Sequence, residues 1–101
     1  MKTFSQKVLA LLSKIPKGKV TTYKELARAL GKPKAFRAVG NACNKNENAP
    51  HVPCHRVITS AGSIGGYAFG VKKKIAILKK EGVLVSKGKL VDFEKKLFRF
   101  K

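Results

Sequence analysis

The sequence predicts a mainly α fold with a small β-hairpin, arranged as a winged helix-turn-helix. Three observations carry that expectation. Two short amphipathic segments, Tyr23 to Leu30 and about Lys34 to Asn44, flank a Gly31-Lys32-Pro33 turn. A pair of β-prone stretches around Lys87-Gly88-Lys89 follows the last helical segment. The chain also carries 23 Lys+Arg against 5 Asp+Glu, a formal net charge of +18, which suits a polyanionic partner.

The elements follow in order. Phe4, Val8, Leu11, Leu12 and Ile15 recur at helical spacing, with Thr3 or Ser5 as N-cap and Pro16-Lys17-Gly18 as terminator. Val20-Thr21-Thr22 is β-prone, and a threonine there can cap the next helix. Tyr23, Leu26, Ala27 and Leu30 form its apolar stripe, closed by Gly31. In the third helix Phe36, Val39 and Cys43 share one face, and Arg37, Asn41 and Asn44 share another. A polar outer stripe on the second helix of a pair fits a recognition helix, although an ordinary αα-hairpin shows the same pattern. Residues 45–56 read as a loop, Val57-Ile58-Thr59 as a short strand, and Ser60-Ala61-Gly62-Ser63 as a turn. Gly65-Gly66 marks a place where the backbone passes close to a neighbour. Val71, Ile75 and Leu78 define a fourth helix ended by Gly82. Val83-Leu84-Val85 and Leu90-Val91-Asp92 form the hairpin, and Phe98-Arg99-Phe100 is expected to pack back.

Length and composition bound the function. A chain of 101 residues with 44% hydrophobic residues fits a single domain over 1–101 with a modest core. No apolar run is long enough to span a bilayer, and the first residues do not form a signal peptide. Lysines are interleaved with core residues and are not gathered on one amphipathic face, so nucleic acid is expected and a membrane is not. The expected setting is intracellular: cytoplasmic, DNA-associated and monomeric. In that setting Cys43 and Cys54 are not expected to form a structural disulfide.

The segment Pro53-Cys54-His55-Arg56-Val57-Ile58 carries the chemistry. A thiol attacks as its thiolate. A stiffening proline, an adjacent histidine and a strongly positive field all suit a nucleophilic cysteine. The rival reading is a metal site made of Cys43, His51, Cys54 and His55. Their spacing matches no zinc signature, so no metal and no cofactor is expected. Cys43 lies on the apolar stripe and reads as a small buried hydrophobe. Lys74 and Glu81 fall on or beside the inner stripe of the fourth helix. They are candidates for a buried polar network, with an ion pair at the helix edge as the alternative.

At these residues the sequence resembles the O6-alkylguanine-DNA alkyltransferases, the methylated-DNA–protein-cysteine methyltransferases. Pro53-Cys54-His55-Arg56-Val57 is similar to that family's active-site motif. Gly18-Lys19-Val20-Thr21-Thr22-Tyr23, Arg37-Ala38-Val39-Gly40-Asn41-Ala42, Gly65-Gly66-Tyr67 and Glu81-Gly82 extend the likeness in the family's order.

The resemblance implies an enzyme that acts once, moving an alkyl group from O6 of a flipped-out guanine in double-stranded DNA to Cys54. O4-alkylthymine is a second candidate substrate. It implies that His55 passes the thiol proton, through a water, toward Glu81. Asn46 is implied as a hinge, and Tyr23 as the group that rotates a phosphate and protonates the leaving guanine. Arg37 is implied to fill the space of the flipped base, with Thr22, Asn41 and Arg56 as further DNA contacts. Val57, Tyr67, Ala68, Phe69 and Lys74 are implied to line the substrate pocket, with backbone carbonyls of Cys54 and Val57 reading the guanine amine. Two-domain members carry an N-terminal domain, and this chain begins almost at the DNA-binding domain. The alternative activity is that of the alkyltransferase-like proteins, which bind lesions but lack the acceptor cysteine. Ala68-Phe69 departs from the small or polar residues of many members, which bears on tolerance of bulky alkyl groups.

Overall fold

The structure is a computed structural model that describes residues 3–45, 52–67 and 69–100. It is mainly helical with two small sheets. Helix α1 (Phe4–Leu12) starts at a capping box: the Thr3 hydroxyl accepts from Gln6 N, and the Gln6 side chain accepts from Thr3 N. Val8 and Leu12 are fully buried. Ile15, expected on this helix, lies beyond its end yet stays in the core. Pro16 disfavours helical backbone in the residue before it, which agrees with the early stop.

Strand β1 (Thr21–Thr22) pairs in parallel with β2 (Val57–Ile58), Thr21 opposite Val57 and Thr22 opposite Ile58. Sequence pattern marked both stretches as β-prone but not that they pair. The two-residue period of β2 divides the interior. Val57 enters a first core with Val8, Leu12, Leu26, Val39 and Cys54, and Ile58 enters a second with Val20, Leu78, Val83 and Leu90.

The Thr22 hydroxyl caps α2 (Tyr23–Ala29) by accepting from Glu25 N at 3.0 Å. A short turn through Gly31 leads to α3 (Phe36–Asn44), which packs on α1 and α2. This α2–turn–α3 unit is the helix-turn-helix. Val39 and Cys43 face inward as expected; Phe36 sits at the edge, 37% exposed, with the Lys24 ammonium 6.0 Å from its ring centroid. Arg37, Asn41 and Asn44 are exposed.

Residues Cys54–Arg56, expected as loop, form a 3-10 turn leading straight into β2. Helix α4 (Val71–Lys80) buries Lys74 and Leu78, while Val71, expected on the inner stripe, is 40% exposed. Strands β3 (Val85–Ser86) and β4 (Lys89–Leu90) form the antiparallel hairpin. Its turn residues Lys87 (φ 52°) and Gly88 (φ 80°) are both left-handed, the geometry that matches strand twist in a two-residue loop. The strands are shorter than expected because Val83 joins the second core and Leu84 faces solvent.

A short helix α5 (Phe93–Lys96), not foreseen, precedes the tail. The tail packs back as expected. Val20 N donates to Lys96 O at 2.9 Å, and Phe98 N donates to Val20 O at 2.7 Å. Glu25, buried on α2, fastens the end. It pairs with Arg28 and accepts from Phe100 N at 3.2 Å, while Arg28 Nη2 donates to Phe100 O at 3.0 Å.

The Arg28 hydrogen bond holds the Glu25 carboxyl below its ordinary value, outweighing burial. A depressed carboxyl contributes stability above its unfolded pKa and loses it as pH falls through the folded one. Glu25→Gln is therefore expected to lower unfolding free energy at neutral pH by about 1 to 2 kcal/mol. The difference from the parent should shrink on acidification. Thermal melts across pH measure both; a constant difference down to strong acid would contradict this role.

Candidate active site and nucleic-acid interface

Cys54 opens the 3-10 turn and is 4% exposed, in the first core. His55 follows, also buried. Its Nε2 lies 3.1 Å from both carboxylate oxygens of Glu81, the residue capping the C-terminal end of α4. A carboxylate only accepts, so Nε2 carries the proton and donates. The other ring nitrogen, Nδ1, is buried without a hydrogen-bond partner among the described residues. Glu81 thus fixes a neutral tautomer whose free lone pair is at Nδ1. The ring stays neutral because burial lowers its pKa, aided by the Arg56 and Lys74 charges and opposed by Glu81.

Arg56 completes this arrangement. Its Nε and Nη2 donate to Glu81 at 2.9 and 2.6 Å, and Nη1 donates to Ile15 O at 2.8 Å. Burial works against charge on Glu81, but the hydrogen bonds from Arg56 and His55 outweigh it and hold the carboxyl below its ordinary value. The guanidinium of Arg56, expected as a DNA contact, is largely buried and holds the turn to α4 and to the end of the α1 region.

The second buried polar centre is Lys74. It is fully buried, and Nζ donates to Val57 O at 2.7 Å and Gly66 O at 2.9 Å. Burial pulls its pKa down to about 8, while the charges of Cys43 and Cys54 act in the opposite direction. The expected buried network therefore exists as two centres. Lys74 and Glu81 do not pair with each other; each reaches back from α4 to the segment around Cys54.

Tyr23, the first residue of α2, is half-buried. Its ring passes near Gly40 of α3, and a side chain at Gly65 would meet its hydroxyl at 3.4 Å. Gly65 also has φ +70°, so the pattern Gly65-Gly66 does mark a close backbone approach. Burial, then the charges of Cys43 and Cys54, push Tyr23 up to about 12. Tyr67 is half-buried and stacks edge-on with Phe69 at 5.6 Å between centroids. Burial and the Cys54 charge raise the Tyr67 hydroxyl above its ordinary value. Phe69 is 51% exposed, with the Lys73 ammonium 6.0 Å from its ring.

The site residues thus divide. Cys54, His55, Glu81, Arg56, Val57 and Lys74 form one connected interior, and the charges of Cys54 and Cys43 reach Tyr23. Arg37 and Asn41 stand together on the open face of α3. Thr22 is buried, its hydroxyl used as the α2 cap. Val57 O already accepts from Lys74, and Cys54 O from Val57 N. Asn46, Ala68 and His51 lie outside the described residues. Among the described residues no group of three or more His, Cys, Asp or Glu could hold a metal ion. Sequence reading missed the carbonyls of Ile15 and Gly66, because any residue supplies a carbonyl. It also missed Cys43 as a neighbour of the site.

Of the five acids, Glu25 and Glu81 are turned inward, so they do little to offset the exposed lysines and arginines. The two clefts near the tail, of about 450 and 280 Å³, are lined by Arg28 and Arg99 and do not include Cys54. No helix among the described residues is long and apolar enough to cross a membrane.

Residues 3–83 match the model of the family described as 6-O-methylguanine DNA methyltransferase, DNA binding domain. A methylated-DNA–protein-cysteine methyltransferase of Methanosarcina barkeri is 50% identical over 78 residues, 77% of this chain and 49% of that protein. The bifunctional transcriptional activator/DNA repair enzyme Ada of Escherichia coli is 46% identical over 78 residues, 77% of this chain and 22% of that protein. The chain therefore spans about half or less of the length of these curated relatives. Among solved structures, Mycobacterium tuberculosis OGT in complex with DNA superposes with a TM-score of 0.77 at 43% identity, covering 80% of this chain and 50% of that one. S. pombe Atl1 in complex with damaged DNA containing O6-carboxymethylguanine superposes with a TM-score of 0.85 at 32% identity, covering 99% and 100%.

Removing Glu81 tests the interior. Glu81→Ala leaves the Arg56 charge buried without its partner, a change expected to cost about 3 kcal/mol in denaturant unfolding. It also removes the group that raises the His55 pKa, so that pKa should fall further. Imidazole NMR titration reads the shift; an upward movement would contradict the arrangement.

Proposed function

Because the chain belongs to the 6-O-methylguanine DNA methyltransferase family through its DNA-binding domain, we propose that it repairs DNA by accepting an alkyl group from O6 of guanine onto Cys54. The observation that carries this reading is the Glu81–His55 pair beside Cys54. It presents a neutral imidazole with Nε2 protonated and Nδ1 able to accept.

The steps balance. The Cys54 thiol gives its proton to His55 Nδ1, by way of a water, and Glu81 stabilises the resulting imidazolium. The sulfur attacks the alkyl carbon, an S–C bond forms, and the O6–C bond breaks with its electron pair going to guanine. Tyr23, held protonated at neutral pH, supplies the proton to the departing base. The thioether is stable, so each chain acts once.

Guanine O6 lies inside the base stack, so the nucleotide must leave it, at a cost of a few kcal/mol that is least for a badly paired base. Arg37, exposed on α3, would occupy the vacated space, with Asn41 beside it. Tyr67 and Phe69, in edge-on contact, would line the substrate pocket, and Phe69 would restrict bulky alkyl groups. Arg56 and Lys74 act through others: one holds the 3-10 turn, the other holds Val57 and Gly66.

A second reading is a lesion-binding protein without transfer. The full-length superposition on S. pombe Atl1 favours it. The presence of Cys54 within an intact His55–Glu81 arrangement favours transfer.

Cys54→Ala is expected to bind a duplex carrying O6-methylguanine as tightly as the parent, while losing all transfer. Gel-shift titration and label transfer from the duplex measure the two properties separately. Transfer persisting in this variant would remove Cys54 from the role.

A further inference from the structure

Cys43 is a buried nucleophile that the transfer reaction does not use. It is the penultimate residue of α3, on the inner face with Val39 and Ala42. Cys54 belongs to the same core cluster, and both are free thiols. The charge of each acts on the Tyr23 hydroxyl and the Lys74 ammonium, and a Cys54 thiolate acts on Cys43 directly. Lys74 is itself pinned by two carbonyls, so one boundary of the cluster is fixed. Only residues 44–53 separate the cysteines in sequence, so joining them closes a small loop at modest entropic cost.

We propose that Cys43 is a resolving thiol for Cys54: on oxidation the pair closes to an intramolecular disulfide that reversibly protects the acceptor sulfur. The oxidant is a hydroperoxide. The Cys54 sulfur attacks the terminal peroxide oxygen; an S–O bond forms, the O–O bond breaks, and water or an alcohol leaves. Cys54, now a sulfenic acid, has been oxidised by two electrons. The Cys43 sulfur attacks it, the S–S bond forms, the S–O bond breaks, and the hydroxyl departs as water with the Cys43 proton. A small thiol restores both cysteines by exchange.

Burial, then the Cys54 charge, push Cys43 up to about 12, so it is a poor first target. Once Cys54 is a sulfenic acid, Cys43 is the free thiol of the same core that remains to attack it. Without Cys43 the sulfenic acid proceeds to sulfinic acid, which small thiols do not reverse. The consequence for repair rests on Cys54 being the alkyl acceptor; the pairing of the sulfurs does not.

The test uses the full chain under native conditions. It is exposed to hydrogen peroxide, remaining thiols are blocked with N-ethylmaleimide, and the intact mass and non-reduced peptides are read. The expected product has lost two hydrogens, takes up no maleimide and yields a Cys43–Cys54 linked peptide. Dithiothreitol should restore both labels and full reaction with O6-benzylguanine. Cys43→Ser, treated alike, should gain oxygen at Cys54 and stay inactive after dithiothreitol. A parent chain in which Cys54 gains oxygen while Cys43 remains free, or one linked only between two molecules, would overturn the proposal. Closure of the disulfide in a chain that never reacts with O6-benzylguanine would uphold the pairing and overturn the repair reading. Mapping of the parent chain needs no variant to fold.

Discussion

The site depends on one largely buried carboxylate. Glu81, at the end of α4, accepts from both His55 and Arg56, and Arg56 also reaches the carbonyl of Ile15. The 3-10 turn carrying Cys54 is thereby held between α4 and the chain that follows α1. A carboxylate so placed has to be paired, because an isolated buried charge is costly. Its two partners are consecutive residues of the turn that carries Cys54. The same contact that stabilises the fold therefore sets the histidine tautomer.

Lys74 provides the complementary constraint from one turn and more earlier on α4. By bonding Val57 O and Gly66 O it ties the strand behind Cys54 to the segment that passes Tyr23. Strand β2 lies between the two cores, Val57 facing one and Ile58 the other. The turn carrying Cys54 and the helix-turn-helix thus share the first core. Turning Glu25 and Glu81 inward has an electrostatic effect as well. Few acids are left to offset the exposed cations, which favours a polyanionic partner.

Much of this was legible in the sequence. Helical spacing gave α1 to α4, and the Lys87-Gly88 pair gave the hairpin, because local chemistry fixes both caps and turns. Lys74 and Glu81 were legible as costly residues beside an apolar stripe, but their partners were not. Those partners are carbonyls and residues brought in from other elements, and contacts at long sequence separation leave no local pattern. The parallel pairing of Thr21–Thr22 with Val57–Ile58 was hidden for the same reason. The resemblance implied Arg56 as a DNA contact, and its pairing with a carboxylate twenty-five residues away leaves no local pattern. Cys43 read as a small hydrophobe, which its burial supports; its nearness to Cys54 is a tertiary fact.

The most direct test of the central claim is intact-protein mass spectrometry after incubation with a duplex holding a single O6-methylguanine. Alkyl transfer to Cys54 requires a gain of one methyl group per chain, mapped to Cys54 and stopping there however much duplex is added. An unchanged mass, with tight binding to the lesion retained, would contradict it and place the protein among those that mark alkylated guanine without repairing it.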